Sequence, residues 1–153
     1  MVTVSDRSAR GERADAAGPV AVAALREAGW ACEDARIVPD GEEPVADAIR
    51  RAVADGARLV VTTGGTGVGP RDRTPEGTLG VVDREVPGIV EELRRLGAQE
   101  KPAGMLSRGV AGVTERALVV NLPGSPRAVE SGMPVVLAVA AHAVSQLDGG
   151  DHR

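Results

Sequence analysis

Apolar and polar positions along the chain follow two periods, one typical of short buried strands and one typical of amphipathic helices. Strands are predicted at "MVTVS" (1–5) and "ARLVVTT" (57–63), which are β-branched and apolar, and a weaker one at "ACEDARIVP" (31–39). Apolar residues at helical spacing predict three helices, at 19–29, 41–56 and 87–100. Gly29 and Gly56 supply stop signals for the first two.

The C-terminal third predicts two strands, 105–113 and 116–123, around the turn "TER". A short helix at 125–132 and a longer, mostly buried helix at 133–147 follow. The polar, glycine-punctuated stretch 6–18 predicts a loop, and we expect a single domain over 1–148 with a frayed tail at 149–153. The first strand begins at the initiating Met1, so we expect a shortened front.

Strands that alternate with helices indicate the α/β class. Right-handed crossovers then favour a mostly parallel sheet covered by helices on both faces. In such sheets ligands bind beyond the carboxyl ends of the strands, so the strand-to-helix loops are the places to examine.

Composition excludes several classes of function. A net charge of −4 spread along the chain and a single aromatic residue, Trp30, argue against a nucleic-acid surface, which needs a basic stripe or stacking platforms. Cys32 is the single cysteine, and the two histidines lack partners at ligand spacing, so neither a disulfide nor a zinc site is predicted. The N-terminus lacks a signal-peptide pattern and "MPVVLAVAA" (133–141) is too short to cross a bilayer, which favours a cytoplasmic protein without a membrane partner.

Three chemically rich loops follow predicted strands, at 5–7, 62–72 and 122–127. If those strands are parallel, all three loops open on one edge of the sheet. We therefore expect them to form a single active site.

The middle loop, "TTGGTGVGPRD", holds four glycines within six residues. Glycines permit positive φ and a close backbone approach, and consecutive N–H groups can cradle an anion such as phosphate. The loop is not a Walker A motif, because no Gly-Lys-Ser/Thr closes it. It is not a dinucleotide-binding fingerprint either, because after Gly65 and Gly67 the third glycine of that pattern is replaced by Pro70. The alternative is a flexible tight connection without a ligand.

The loop "NLPGSPR" (121–127) is a second, smaller candidate for anion binding by backbone N–H groups. Ser125 is a candidate helix cap and Pro126 a candidate first helical residue, so free N–H groups there would make a second anion site. An ordinary capped helix without a ligand explains this motif equally well.

Two aspartates accompany the loops. Asp72 follows the glycines, and beside a phosphate it is tolerable if a Mg²⁺ ion is shared between its carboxylate and the substrate. The alternative is a solvated side chain paired with Arg71 and Arg73. Asp40 precedes a predicted helix, and from the residues alone an N-cap is the favoured interpretation.

The segments "VTVSDR", "TTGGTGVGPRDRTPE", "GMLSRGVAGV" and "NLPGSPRAV", in this order and spacing, resemble the MogA/MoaB family of molybdenum cofactor biosynthesis over nearly the whole chain. The resemblance implies a three-layer α/β/α fold and a homotrimer or a dimer of trimers. It also implies molybdopterin adenylyltransferase activity, in which ATP and molybdopterin give adenylyl-molybdopterin and pyrophosphate with Mg²⁺. A partner protein that inserts the metal would receive the product.

The same resemblance assigns roles to particular positions. Asp40 and Asp72 would be the catalytic acids and the Mg²⁺ ligands, which replaces a purely structural role for Asp40. The nucleotide or pterin phosphates and the rest of the pocket would be held by Thr63, Gly64, Gly65, Thr66, Gly67, Ser5, Asp6, Asn121, Pro123, Gly124 and Ser125. Two alternatives stay open, a non-catalytic molybdopterin-binding or scaffolding paralogue and a nucleotide pyrophosphatase.

Overall fold

A six-stranded sheet lies between two layers of helices in the computed structural model, which describes residues 1–150. The strands of this range are β1 (Val2–Val4), β2 (Arg36–Val38), β3 (Leu59–Thr63), β4 (Arg84–Glu85), β5 (Ala111–Val113) and β6 (Leu118–Leu122). Its helices are α1 (Asp6–Ala9), α2 (Gly18–Glu27), α3 (Glu42–Ala54), α4 (Thr74–Leu79), α5 (Pro87–Glu100) and α6 (Pro126–Leu147), with a 3₁₀ helix at Pro102–Leu106.

The strand order is β2-β1-β3-β6-β5-β4, and the pairs β1–β2, β1–β3 and β3–β6 are parallel. Strand β5 is antiparallel to both β6 and β4, so within the described residues it alone runs against the others. The prediction of a mostly parallel α/β sheet is confirmed. Strands β3 and β6 pair Val60 with Val119 and Thr62 with Asn121 at its centre.

Two hydrophobic cores on opposite faces of the sheet produce the three layers. Because side chains alternate along a strand, Val61 and Val120 pack on the face covered by α2, α5 and α6, whereas Val60 and Val119 pack on the face covered by α3. Helix α4 lies beside α3, where Gly77 allows close backbone contact with Glu42. The α/β/α sandwich is confirmed.

Helix α6 differs from the prediction because the short helix 125–132 and the longer helix 133–147 form one continuous element. Pro134 lies inside it on the exposed side and removes one intrahelical N–H, which disfavours a continuous helix locally. Burial of Val129, Met133, Val136 and Ala140 against the sheet overrides that local preference. The joined helix is long and apolar enough to cross a membrane by length and composition alone, which is weak evidence because core helices pass the same test.

Smaller elements also differ from the predictions. The predicted loop at 6–18 contains α1, whose first turn is capped by Ser5, and the front of the predicted strand 105–113 belongs to the 3₁₀ helix. Strand β4 was missed because two residues carry no readable period. Gly149 and Gly150 donate to the last turn of α6, and residues 151–153 of the predicted tail lie outside the described residues.

Candidate active site

The three loops meet at one edge of the sheet, because β1, β3 and β6 are adjacent and parallel. The Gly64 N–H donates to the Leu122 carbonyl at 3.0 Å. A Cβ placed on Gly124 would lie 3.0 Å from the Cα of Gly64, so the second and third loops are in direct contact. Strand β2 adds Asp40 at the same edge, where the Ser5 N–H donates to the Val38 carbonyl at 2.9 Å. The expected convergence of the loops is confirmed.

Two cavities lie on either side of the glycine loop, one of about 660 Å³ and one of about 260 Å³. Predicted site residues that line the larger cavity are Gly64, Gly65, Thr66, Gly67, Asp72, Asn121, Pro123, Gly124 and Ser125. Those that line the smaller cavity are Ser5, Asp6, Asp40, Thr63, Gly64, Gly65, Asp72 and Gly124. Every site residue predicted from the sequence therefore borders at least one cavity.

The glycine loop uses the conformational freedom that its composition offers. Gly64 has φ = 94° and Gly65 has φ = 63°, both in the left-handed region. A Cβ at Gly64 would collide with the Val4 carbonyl oxygen, and one at Gly65 would collide with the Thr74 hydroxyl. Thr74 is the first residue of α4, and its hydroxyl donates to the Gly64 carbonyl at 2.9 Å. The helix start thus holds the loop in place.

Several N–H groups of these loops are left for a ligand. Within residues 1–150, the N–H groups of Gly65, Thr66 and Gly67 donate to no protein acceptor, and neither do those of Gly124 and Ser125. The first three follow one another on one loop, as in an anion-binding nest. The last two lie at the N-terminus of the 22-residue helix α6, where the helix dipole favours negative charge.

Asp72 is held by the loop itself. Its Oδ2 accepts the Gly69 N–H at 2.9 Å and lies 2.8 Å from where a Cβ on Gly67 would be. Arg71 pairs with Asp6, and Arg73 pairs with Glu42 at 3.2 Å. The alternative in which Asp72 pairs with its flanking arginines is therefore wrong.

Asp40 does not cap α3, contrary to the interpretation favoured from the residues alone. The residue that precedes α3 is Gly41, and the helix has no side-chain cap. Asp40 Oδ2 instead accepts the Asp6 N–H at 2.8 Å, while the Asp40 N–H donates to Asp6 Oδ1 at 3.1 Å. Hydrogen bonds between two loops thus replace the predicted capping bond.

The carboxyl groups of Asp6 and Asp40 lie in different electrostatic environments, which shift their pKa values in opposite directions. Burial, followed by the charges of Asp6 and Asp72, raises the pKa of Asp40. Hydrogen bonds from Arg71 lower the pKa of Asp6, since both guanidinium nitrogens lie 3.1 Å from its oxygens. Negative charge at Asp40 and Asp72 is therefore only partly compensated by the protein.

These two carboxylates suit a hard divalent cation. Asp40 Oδ1 lies 3.0 Å from where a Cβ on Gly65 would be, so both acids lie against the glycine loop. Residues 1–150 contain no group of three or more His, Cys, Asp or Glu side chains placed to hold a metal. One or two carboxylates plus substrate phosphates is the usual environment of Mg²⁺, so the residues present fit that ion.

Not every predicted side chain is free to bind a ligand. Asn121 donates to the hydroxyls of Thr62 and Thr78, both at 2.9 Å, and its Oδ1 accepts the Val110 N–H at 3.0 Å, so its side-chain polar atoms already have protein partners. Ser5 and Ser125 accept N–H bonds as helix caps, which confirms the cap predicted at Ser125. Capping uses an oxygen lone pair, so each O–H can still donate.

The hydroxyl of Thr63 stands out because it is fully buried and has no hydrogen-bond partner among the described residues. A buried polar atom without a partner is costly. Thr63 also borders the smaller cavity, but its hydroxyl is closed to solvent in this conformation and is out of reach of a ligand there.

Sequence reasoning missed the residues that support the loop from behind. Arg108 contacts three of its carbonyls and Glu76 pairs with Arg108. It also missed the apolar wall that Val90, Leu93 and Leu96 contribute to the larger cavity. The only available signal was the position of Arg108 in "MLSRG", since the contacts depend on tertiary structure.

Comparison with known proteins gives a consistent picture. The family model described as "Probable molybdopterin binding domain" matches residues 1–142. The molybdenum cofactor biosynthesis bifunctional protein of Synechococcus elongatus is 40% identical over 152 residues, covering 99% of this chain and 48% of that protein. The chain thus spans about half the length of the bifunctional relatives that it matches.

Shorter relatives match over more of their length. The molybdopterin adenylyltransferase of Haemophilus influenzae is 40% identical over 134 residues, which are 85% of this chain and 68% of that protein. The crystal structure of the molybdopterin biosynthesis enzyme MoaB from Thermus thermophilus superposes with a TM-score of 0.88 at 41% identity. That superposition covers 99% of this chain and 96% of the other.

Proposed function

This chain belongs to the MogA/MoaB family of molybdopterin-binding domains, and we propose that it is a cytoplasmic molybdopterin adenylyltransferase of molybdenum cofactor biosynthesis. Its substrates would be ATP and molybdopterin, and its products adenylyl-molybdopterin and pyrophosphate.

One observation carries this proposal: the two cavities share the glycine loop and Asp72. A transferase must bring two substrates together at one reacting centre. Cavities of about 660 and 260 Å³ that meet at Gly64, Gly65, Asp72 and Gly124 provide that geometry.

In the reaction, an oxygen of the molybdopterin phosphate forms a bond to the α-phosphorus of ATP, and the bond from that phosphorus to the bridging oxygen breaks to release pyrophosphate. The unpaired N–H groups of Gly65, Thr66 and Gly67 would bind phosphate oxygens and fix their orientation. Those of Gly124 and Ser125 would do the same from the α6 terminus.

Asp40 and Asp72 would hold Mg²⁺, which when bound supplies neutralising charge for the phosphates. As is usual for phosphoryl-type transfer, the protein acts by positioning groups and stabilising charge rather than by covalent chemistry.

The test is to incubate the protein with ATP, Mg²⁺ and molybdopterin and to quantify adenylyl-molybdopterin and pyrophosphate. The variant Asp72→Asn keeps an acceptor for the Gly69 N–H, so we expect it to fold normally and to lose activity on the order of 10²–10³-fold, as when one charge-stabilising group is removed. Arg95→Met is the control, because among residues 1–150 Arg95 pairs with Glu92 alone, on the exposed side of α5.

Each alternative function has its own outcome in that assay. Binding of molybdopterin without any adenylylated product, from well-folded protein, would identify a scaffolding paralogue. Hydrolysis of a dinucleotide in the absence of pterin would identify a nucleotide pyrophosphatase. Either result contradicts the proposed transferase.

We also propose that the chain forms a homotrimer or a dimer of trimers and passes its product to a metal-insertion protein. Met105 and Leu106, 64% and 55% exposed, form an apolar rim at the 3₁₀ helix beside the larger cavity, which supports burial of this region against another chain. Sedimentation equilibrium tests the oligomer, and a monomer at micromolar concentration contradicts it.

A further inference from the structure

Arg108 lies behind the glycine loop, on a segment distant in sequence. Its guanidinium donates to the Gly67 carbonyl through Nε at 2.8 Å and to the Asp72 carbonyl through Nη2 at 2.6 Å. Its backbone N–H donates to the Thr66 carbonyl at 2.8 Å. One residue therefore fixes three carbonyls of the loop that carries Asp72.

We infer that Arg108 is a positioning residue that holds the glycine loop and Asp72 in the conformation that binds phosphate and cation, an inference that rests on the proposed function. An arginine beside a phosphate site is ordinarily expected to bind the phosphate itself. Arg108 lines neither of the two site cavities, and its Nε, Nη1 and Nη2 all donate to protein oxygens. It therefore acts through the loop rather than on the substrate.

The trans geometry of the peptide bond explains how the bonds from Arg108 to the loop carbonyls orient the loop N–H groups that would bind an anion. In a trans peptide the C=O and the following N–H point in opposite directions. Because Arg108 binds the carbonyls of Thr66 and Gly67, the N–H groups of Gly67 and Val68 face away from it. Thr66 and Gly67 line the larger cavity, so the face left free for donation is the one available to a ligand.

Glu76 fixes the guanidinium from the far side. Its Oε1 accepts from Arg108 Nη1 at 2.6 Å, and this hydrogen bond is the main reason that the pKa of Glu76 is lowered. Glu76 lies in α4, whose first residue, Thr74, donates to the Gly64 carbonyl. Arg108 and Glu76 thus tie both ends of the loop to the same short helix.

The experiment compares Arg108→Met and Arg108→Lys with the wild type and with Arg95→Met. The first readout is hydrogen exchange of the three hydrogen-bonded amides of the segment 64–72, those of Gly64, Gly69 and Asp72, in the free protein without substrate. We expect the exchange of this segment to accelerate about tenfold or more in Arg108→Met, less in Arg108→Lys, and not at all in Arg95→Met, because one or more charge-assisted bonds are lost.

The second readout is the Mg²⁺ concentration that gives half-maximal adenylylation. We expect it to rise about tenfold in Arg108→Met, with partial recovery in Arg108→Lys, because a loosened Asp72 binds the cation less well. A role in stability alone would lower the active fraction, and with it kcat, without moving this midpoint.

Faster exchange together with a raised midpoint supports the inference, and unchanged exchange or an unmoved midpoint overturns it. If Arg108→Met does not fold, the same two measurements on Arg108→Lys decide. If the wild type itself forms no adenylylated product, the proposed function fails, and the exchange measurement alone then decides whether Arg108 holds the loop.

Discussion

Asp6 and Asp40 accept each other's backbone N–H groups, yet their carboxyl groups lie in opposite electrostatic environments. The forked bond from Arg71 stabilises the charged form of Asp6, whereas burial and two neighbouring carboxylates destabilise the charged form of Asp40. At the scale of the residue, chemical identity thus says little about role. Local desolvation and the nearest guanidinium separate a structural acid from a candidate cation ligand.

For Asp40→Asn we expect the free energy of unfolding at pH 7 to equal or exceed that of the wild type. Asn keeps the acceptor for the Asp6 N–H and removes a charge whose pKa is raised on folding. A raised pKa means that the carboxyl stabilises the fold below its ordinary pKa of about 3.9 and loses that contribution as the pH rises through the raised value. The advantage of the variant should therefore vanish in acid, as measured by urea unfolding across this pH range.

The exposed Asp83→Asn is the control for that series, since Asp83 bonds to the Val113 carbonyl through its backbone N–H, which the substitution keeps. A lower melting temperature for Asp40→Asn at pH 7, with adenylylation intact, would make Asp40 a structural residue and remove it from the cation site.

Elements position the loops through a few buried polar links. The Asn121 side chain in β6 joins β3 through Thr62, α4 through Thr78 and the segment before β5 through Val110. Asn121 is 2% exposed and Thr78 is fully buried, so these bonds form in a region closed to water. The network fixes β6 and α4, and with them the loops that leave or enter both elements.

We expect Asn121→Ala to lower the free energy of unfolding by roughly 2–4 kcal/mol, because it leaves a cavity and strands the buried Val110 N–H without an acceptor. Ser131→Ala is the control, since the Ser131 hydroxyl bonds only to carbonyls of its own helix. Chemical denaturation of both variants is the measurement, and equal losses would contradict the proposed importance of the network.

We expect Gly64→Ala to destabilise the fold by about 1–3 kcal/mol or more, since alanine is strained at positive φ and its Cβ would meet the Val4 carbonyl oxygen. At Gly88 a Cβ meets nothing within 4 Å, so Gly88→Ala should leave stability unchanged or slightly raise it. Thermal unfolding of the pair is decisive, and a Gly64→Ala protein as stable as Gly88→Ala would show that the loop conformation is not required.

At the scale of the whole molecule, the order of the strands brings the site together. Parallel β2, β1, β3 and β6 lie side by side, so the loops that follow them open at one rim although they are distant in sequence. The two cavities meet where β3 and β6 end, at Gly64 and Gly124. Binding at this rim therefore couples four strands and should stabilise the entire domain.

ATP with Mg²⁺ at about 100 times its Kd should raise the free energy of unfolding by about 2.7 kcal/mol, which corresponds to a rise in Tm of roughly 5–10 °C for a domain of this size. We expect a smaller rise in Asp72→Asn, because one carboxylate for the cation is missing. Differential scanning calorimetry measures both, and an equal shift in the two proteins would exclude Asp72 from cation binding.

Local patterns were sufficient to predict most of the elements. Helix α5 begins and ends where its period predicts, and Gly29 and Gly56 adopt positive φ just beyond α2 and α3. Glycine density, strand-to-helix loops and the order of the motifs were enough to predict a parallel α/β domain that binds its ligand at the carboxyl edge of the sheet. These inferences depend on backbone conformation and side-chain periodicity, which neighbouring residues largely determine.

Long-range contacts decided the rest. The two helices predicted at 125–132 and 133–147 form one buried helix, and the cap predicted at Asp40 is replaced by a bond to Asp6. The role of Arg108 could not be predicted from its position in "MLSRG", since its three acceptors lie 36 or more residues away along the chain. Sequence alone determined the class of fold and the loops that hold the site. Only the tertiary structure decided the partners of each charged group, because desolvation and hydrogen bonding depend on what packs nearby in space.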